Sequence, residues 1–189
     1  MRLFYYYLIM NIFNIIEKYY DKDSNLYNLL VKHSKQVADL ALLIANKNPQ
    51  LNIDTDFTFE ASMLHDIGIF KTHAPSIYCI GEKPYICHGY LGREILEAEG
   101  LPQHALVCEH HTGSGITANE IITQNLPLPH RDMLPTSIEE KLVCYADKFF
   151  SKSHIAPAKP LEQVRKEMSK FGEESLKRFD DLNKLFGTF

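Results

Sequence analysis

A chain of 189 residues with 45% hydrophobic and 23% charged side chains has the composition of a folded globular protein and enough length for a core of its own. Disordered, collagen-like and coiled-coil classes are excluded, and a net charge of −4 argues against a general nucleic-acid binder, which carries a basic excess. Four cysteines (Cys79, Cys87, Cys108, Cys144) form no CxxC pair and match neither a zinc ribbon nor a disulfide scaffold, so they read as reduced, mostly buried thiols of a cytoplasmic protein.

In chain order, the opening MRLFYYYLIMNIFNII is broken at Asn11 and Asn14 and lacks a small-residue cleavage site before EKYYDKD, so it does not read as a signal peptide. Met10 is an alternative start, which makes residues 1–9 an upstream extension. No run approaches the ~20 apolar residues of a membrane helix. Leu26, Leu29, Leu30, Val37, Leu40, Ala41 and Ile44 recur at helical steps, opened by Ser24 and ended at Pro49. A short helix is expected from Asp56 or Thr58 through Leu64, stopping at Gly68. Residues 71–87, with Pro75, Gly81 and Pro84, read as a loop. Helices follow over 90–99, closed by Gly100, and from Pro102 into His110 and His111. Thr117 with Glu120 and Thr136 with Glu139 predict capping boxes that open two more helices, with a proline-stiffened loop between. Residues 161–186 predict one amphipathic helix, with Leu161, Val164, Met168, Phe171, Leu182 and Phe186 on its apolar face. No convincing strand is found, and the class is all-α.

Nine histidines, as many as the glycines, are the first sign of chemistry. His33 lies on the inward stripe of its helix, where a lone histidine is more often a hydrogen-bonded core residue than a ligand. His65 and Asp66 are adjacent at a helix end, in ASMLHDIG. Adjacent helical residues diverge by about 100°, so both reach one ion only if it lies just off the helix boundary. Asp147 sits among apolar residues in VCYADKFF, where an aspartate needs a cation, several donors or exposure; taken alone it reads as exposed or in a helix-local contact. Two imidazoles and two carboxylates together suit one divalent cation such as Mn, Fe, Co, Ni or Mg, with positions open for water and substrate. Such an ion polarises a phosphoryl oxygen and activates water.

The order H…HD…D, with His33 in LLVKHSKQVADLALLIA, the doublet in EASMLHDIG and Asp147 in EEKLVCYADKF, resembles the HD-domain superfamily of metal-dependent phosphohydrolases. The resemblance covers roughly residues 26–152. It implies a compact helical bundle, with residues 1–25 an N-terminal extension and first helix, 26–152 the catalytic domain, and 153–189 a C-terminal helix packing on it. It also implies that His33, His65, Asp66 and Asp147 are the metal ligands and that Asp66 takes a proton from water. His88, His110 and His111 fall where relatives hold a second ion or the substrate phosphate; a phosphate held by His88 and one of the pair is the preferred expectation. Many members carry lysine after HDIG. Here that position is Ile69, and Lys71 is the candidate catalytic lysine. Arg93 reads as a surface partner of Glu97. HHTG followed by EEKLVCYAD is similar to the subgroup that cleaves dinucleoside tetraphosphates symmetrically, whereas GITANEIITQNLPLPHRDMLPTSIEEK is closer to a group of small bacterial and archaeal HD proteins. The implied activity is hydrolysis of a phosphoester or phosphoanhydride in a small phosphate-containing substrate, a nucleotide, with one metal ion or two. An HD-fold di-iron oxygenase and a metal-binding sensing module are the alternatives. No membrane partner is expected, and a homo-oligomer is compatible with the sequence. Residues 1–150 carry net charge −6 and residues 151–189 net +2; the basic tail reads as a solvated face, with a basic partner or substrate surface as the alternative.

Overall fold

The structure, a computed structural model, describes residues 12–153 and 157–187; the alternative start at Met10 lies outside them. Helix α1 (12–19) buries Ile12, Ile15 and Ile16, spaced as one helical face. Just beyond it, the Tyr20 hydroxyl donates to the Ile67 carbonyl at 2.7 Å, tying the N-terminal helix to the HDIG turn.

Helix α2 (Asn25–Lys47) is the central member. Ser24 caps it by accepting from the Tyr27 amide at 3.1 Å. Its buried face serves two clusters: Leu29, Leu30 and Ala38 pack toward α1 and α3, while Val37, Leu40, Ala41 and Ile44 pack toward the C-terminal helices. Helix α3 (Thr55–Leu64) begins earlier than the sequence suggests, because Asp54 caps it through the Phe57 amide at 3.0 Å. It also ends at Leu64 rather than at Gly68. Gly68 has φ −83°, so it is no left-handed cap. A Cβ placed there would lie 2.3 Å from the His88 carbonyl oxygen and 2.5 Å from the Gly92 nitrogen. The glycine is needed for backbone-to-backbone approach between the HDIG turn and helix α4 (His88–Ala98).

The expected loop at 71–87 contains a small sheet. Strand β1 (Thr72–Ala74) pairs antiparallel with β2 (Cys79–Ile80) and parallel with β3 (Lys83–Pro84). Strands of two or three residues are too short to leave an alternating pattern. Gly100 at φ +76° turns the chain from α4 into α5 (Pro102–His110), with Pro102 in its first turn.

Helix α6 (Ala118–Thr123) has the expected Thr117–Glu120 box. Helix α7 (Ile138–Asp147) is capped one residue later than expected, by Ser137 with Glu140. Thr136 instead donates its amide and hydroxyl to Glu140, both at 3.1 Å. The expected single C-terminal helix is two: α8 (Leu161–Met168) and α9 (Glu173–Phe186). Gly172 at φ +103° and ψ 165° ends one and redirects the other. Both pack into the core. Phe179 stacks on Tyr145 with centroids 5.5 Å apart, and the Tyr145 hydroxyl donates to Asn183 at 2.7 Å. Phe171, expected on the apolar face, is 62% exposed. All four cysteines are free and buried. No helix among the described residues is long and apolar enough to cross a membrane.

Candidate metal centre

Five elements converge on one buried point. His33 comes from mid-α2, His65 and Asp66 from the turn after α3, His88 from the first residue of α4, His111 from the cap of α5, and Asp147 from the last residue of α7. Ligand atoms of His33, His65, Asp66 and Asp147 lie within 4.8 Å of one another, as do those of Asp66, His88 and His111.

The two oxygens of Asp66 divide the site. Oδ2 faces His33 Nε2 at 3.3 Å and His65 Nε2 at 3.2 Å. Oδ1 faces His88 Nε2 at 3.5 Å and His111 Nε2 at 3.4 Å. Asp147 Oδ1 completes the first set, 2.9 Å from His33 and 3.5 Å from His65.

Backbone carbonyls set the orientation of three imidazoles. His65, His88 and His111 each direct Nδ1 to the carbonyl three residues earlier, those of Ser62 (2.6 Å), Tyr85 (2.7 Å) and Cys108 (2.7 Å). A carbonyl only accepts, so Nδ1 carries the hydrogen and each ring aims Nε2 inward: as a lone pair on His88 and His111, and on His65 once a cation takes the place of the proton that Asp66 and Asp147 otherwise hold there, the arrangement of a metal-binding histidine. These helix-end geometries are local: the same three-residue step closes each time.

Charge and hydrogen bonding show that the donor set fits a cation. His65 Nε2 and both Asp66 oxygens are buried without a properly angled hydrogen bond, although the Lys152 ammonium lies 2.8 Å from Oδ2. Native proteins rarely leave such atoms unsatisfied. His88 Nε2 and His111 Nε2 face each other at 3.1 Å, and burial pushes the two rings down to about 3 and about 4. Two neutral lone pairs that close need something positive between them. Burial also opposes charge on His65, but the carboxylates of Asp66 and Asp147 outweigh it and raise the ring to about 9. Burial works against charge on Asp66 and Asp147 too. Lys152 and His65 hold the first well below the usual carboxylate range, and Lys148 and Lys152 the second. The buried histidine and carboxylates are therefore compatible with a divalent metal ion.

The structure separates the histidine pair. His111 joins the cluster, whereas the His110 ring lies between Glu140 (2.6 Å) and Glu109 (3.6 Å) and belongs to a scaffold network. Consecutive side chains diverge at the end of a helix, and only one of the two faces the site. Glu109 is also gripped by Arg93 and Arg131, so Arg93 holds more than its Glu97 neighbour. Lys71 makes none of the ion pairs at the site; it ends a short 3-10 turn entering β1. The lysines that do reach it are Lys148, 2.7 Å from Asp147 Oδ2, and Lys152. Sequence reasoning passed over both. Lys148 adjoins a ligand, but Lys152 lies beyond the end of α7, where no helical register predicts direction.

The segment that carries this centre, with four histidines and two aspartates on five elements, is matched by sequence comparison. The family described as HD domain matches residues 30–151. The chain belongs to the HD-domain family. It is 34% identical to an uncharacterized protein of Methanocaldococcus jannaschii over 164 residues, 82% of this chain and 89% of that one. It is also 33% and 31% identical to tRNA (cytidine(56)-2′-O)-methyltransferases of Picrophilus torridus and Thermoplasma volcanium. Those matches cover 74% and 84% of this chain but only 37% and 42% of the longer methyltransferases, whose named activity is their own. No solved structure matches the chain.

Proposed function

We propose that this HD-domain protein is a metal-dependent phosphohydrolase that cleaves a phosphoester or phosphoanhydride bond of a nucleotide. The observation that carries the reading is Asp66, whose two oxygens face two separate sets of buried donors beside a lysine-lined cavity. His33, His65, Asp66 and Asp147 would hold one divalent cation, and Asp66, His88 and His111 a second. The mixed nitrogen and oxygen donors suit Mn, Fe, Co, Ni or Mg. Cations held there supply Lewis acidity, polarising a phosphoryl oxygen and lowering the pKa of a water.

The chain's own groups do the positioning. The cavity beside Asp147, about 550 Å³, is lined by Lys148, Lys152, Lys159 and Lys170 against Asp147 and Glu167, the latter paired with Lys159 at 2.7 Å; the balance is positive and would draw a phosphate inward. Lys148 and Lys152 offset negative charge that grows on the phosphoryl and leaving-group oxygens. Asp66, anionic although burial opposes its charge, would lend one oxygen to each donor set and so holds the cations rather than taking a proton. His88 and His111 are better suited to a second cation than to a phosphate, because burial keeps both rings neutral and their remaining nitrogens are acceptors. A di-iron oxygenase would draw on the same ligands; the four lysines favour a phosphate substrate.

The test is metal analysis of protein loaded with Mn²⁺, followed by a panel of nucleotides and simple phosphoesters. Two ions per chain and metal-dependent phosphate release are expected, with His111→Ala reducing the content toward one. Full metal content with no turnover of any phosphorylated compound would overturn the activity. An unchanged metal content in His111→Ala would remove the second ion.

A further inference from the structure

A second cavity of about 470 Å³ opens beside His88, and its character differs from that of the lysine-lined one. Ile86, Ile116, Leu126 and Phe171 make its wall predominantly apolar. Tyr85, Gly113 and Phe171 line both cavities, so the two adjoin, one reaching Asp147 and the other His88. A ligand filling both is anionic at one end and flat or greasy at the other. The apolar half has the size of small-molecule sites in general.

Three features choose between flat and greasy. Phe171 stands at the shared rim with 62% of its surface exposed, although helical periodicity assigns it to an apolar face. Gly172, at φ +103°, breaks the helix and leaves the ring at the rim. An aromatic face held open beside a phosphate-drawing cavity is a stacking platform. Arg178 lines the cavity together with Glu120, which holds it at 2.8 Å, and is also held by the Gly115 carbonyl at 3.0 Å. Gln124, also lining the cavity, offers an amide that donates and accepts. An alkyl chain uses none of these polar groups; the edge of a heterocycle uses them.

We propose that this cavity is a nucleobase subsite in which Phe171 stacks on the ring, so that α8 and α9, outside the family-matched residues 30–151, select the substrate. The proposal rests on the phosphohydrolase reading for where the phosphate sits, but binding does not require turnover. The probes are methylenephosphonate analogues of the four ribonucleoside 5′-monophosphates, which resist hydrolysis, with methylphosphonate and hexylphosphonate as ringless controls. Each is titrated calorimetrically into the Mn²⁺-loaded full chain.

At least one nucleotide analogue is expected to bind tenfold or more tightly than either control. Phe171→Ala weakens it on the order of tenfold, Phe171→Tyr restores it, and methylphosphonate binding is unchanged. Because Phe171 is exposed, the variant folds, and a thermal melt verifies this. Hexylphosphonate binding as tightly as the best nucleotide overturns the proposal in favour of an alkyl phosphate. So does a Phe171→Ala variant that binds every probe as the parent does or weakens all of them equally. Phe171-dependent binding without turnover of the parent nucleotides sustains the subsite and removes the phosphohydrolase; turnover with Phe171-independent binding does the reverse.

Discussion

Gly68→Ala perturbs the centre without altering a ligand side chain. The added Cβ would sit 2.3 Å from the His88 oxygen, 2.5 Å from the Gly92 nitrogen and 2.9 Å from the Gly92 Cα. Ordinary carbon contacts need about 3.5–4.0 Å, so the HDIG turn and α4 must part by about 1 Å. All three obstacles are backbone, and no rotamer relieves them. Overpacking of this kind costs about 1–3 kcal/mol, or roughly 2–12 °C in melting temperature for a chain this size. The seam that opens lies between Asp66 and His88, whose facing atoms are 3.5 Å apart. The set of His33, His65, Asp66 and Asp147 does not use α4. The variant is therefore expected to keep one Mn²⁺ per chain, lose the second in equilibrium dialysis, and lose about 100-fold in any turnover, the usual consequence of a displacement of ~1 Å. Gly92→Ala is the contrast. Its Cβ meets the Cys108 Sγ at 2.2 Å, with the next contact at 3.2 Å. Adding Cys108→Ala should rescue Gly92→Ala and leave Gly68→Ala unrescued. A Gly68→Ala protein with parental melting temperature and metal content would refute the view of this glycine as a spacer.

Asp66→Ala removes the carboxylate shared by both donor sets, and metal analysis should find neither ion, with hydrolysis abolished; full occupancy would remove Asp66 from the centre. His65→Ala should empty the first set in the same assay. Glu140 is opposed by burial but held at about 2 by His110 and the Thr136 and Ser137 amides, against 4.5 when unfolded. Its contribution to stability is present above pH 4.5 and is lost as pH falls toward 2, so urea unfolding of Glu140→Gln should show a smaller acid-induced loss than the parent, and an equal loss would contradict the pairing. Phe179 is fully buried against Tyr145 and Phe149. Phe179→Ala should cost about 3–5 kcal/mol in denaturant unfolding, and a loss below about 1 kcal/mol would mean that α9 does not share the core.

What the chain alone determines here is local. The period of α2, its Ser24 cap and the Thr117–Glu120 box are legible because each depends on residues within one or two turns. That positions 33, 65, 66 and 147 belong together is legible from the H…HD…D resemblance and not from any one residue, since a lone inward histidine or aspartate has commoner explanations. Cap register is less legible: Ser137 and Thr136 offer similar hydroxyls one residue apart, and the contacts of Glu140 with His110 choose between them. The single helix expected over 161–186 fails because α8 and α9 must both reach the core, and Gly172 supplies the turn that lets them. His110 and His111 are interchangeable in sequence, yet only packing against Glu140 and Glu109 on one side and Asp66 on the other assigns them different tasks. Lys71 and Lys152 differ in the same way. A lysine's long, flexible stem makes its destination a property of the space around it, and that space is made by elements far apart in the chain.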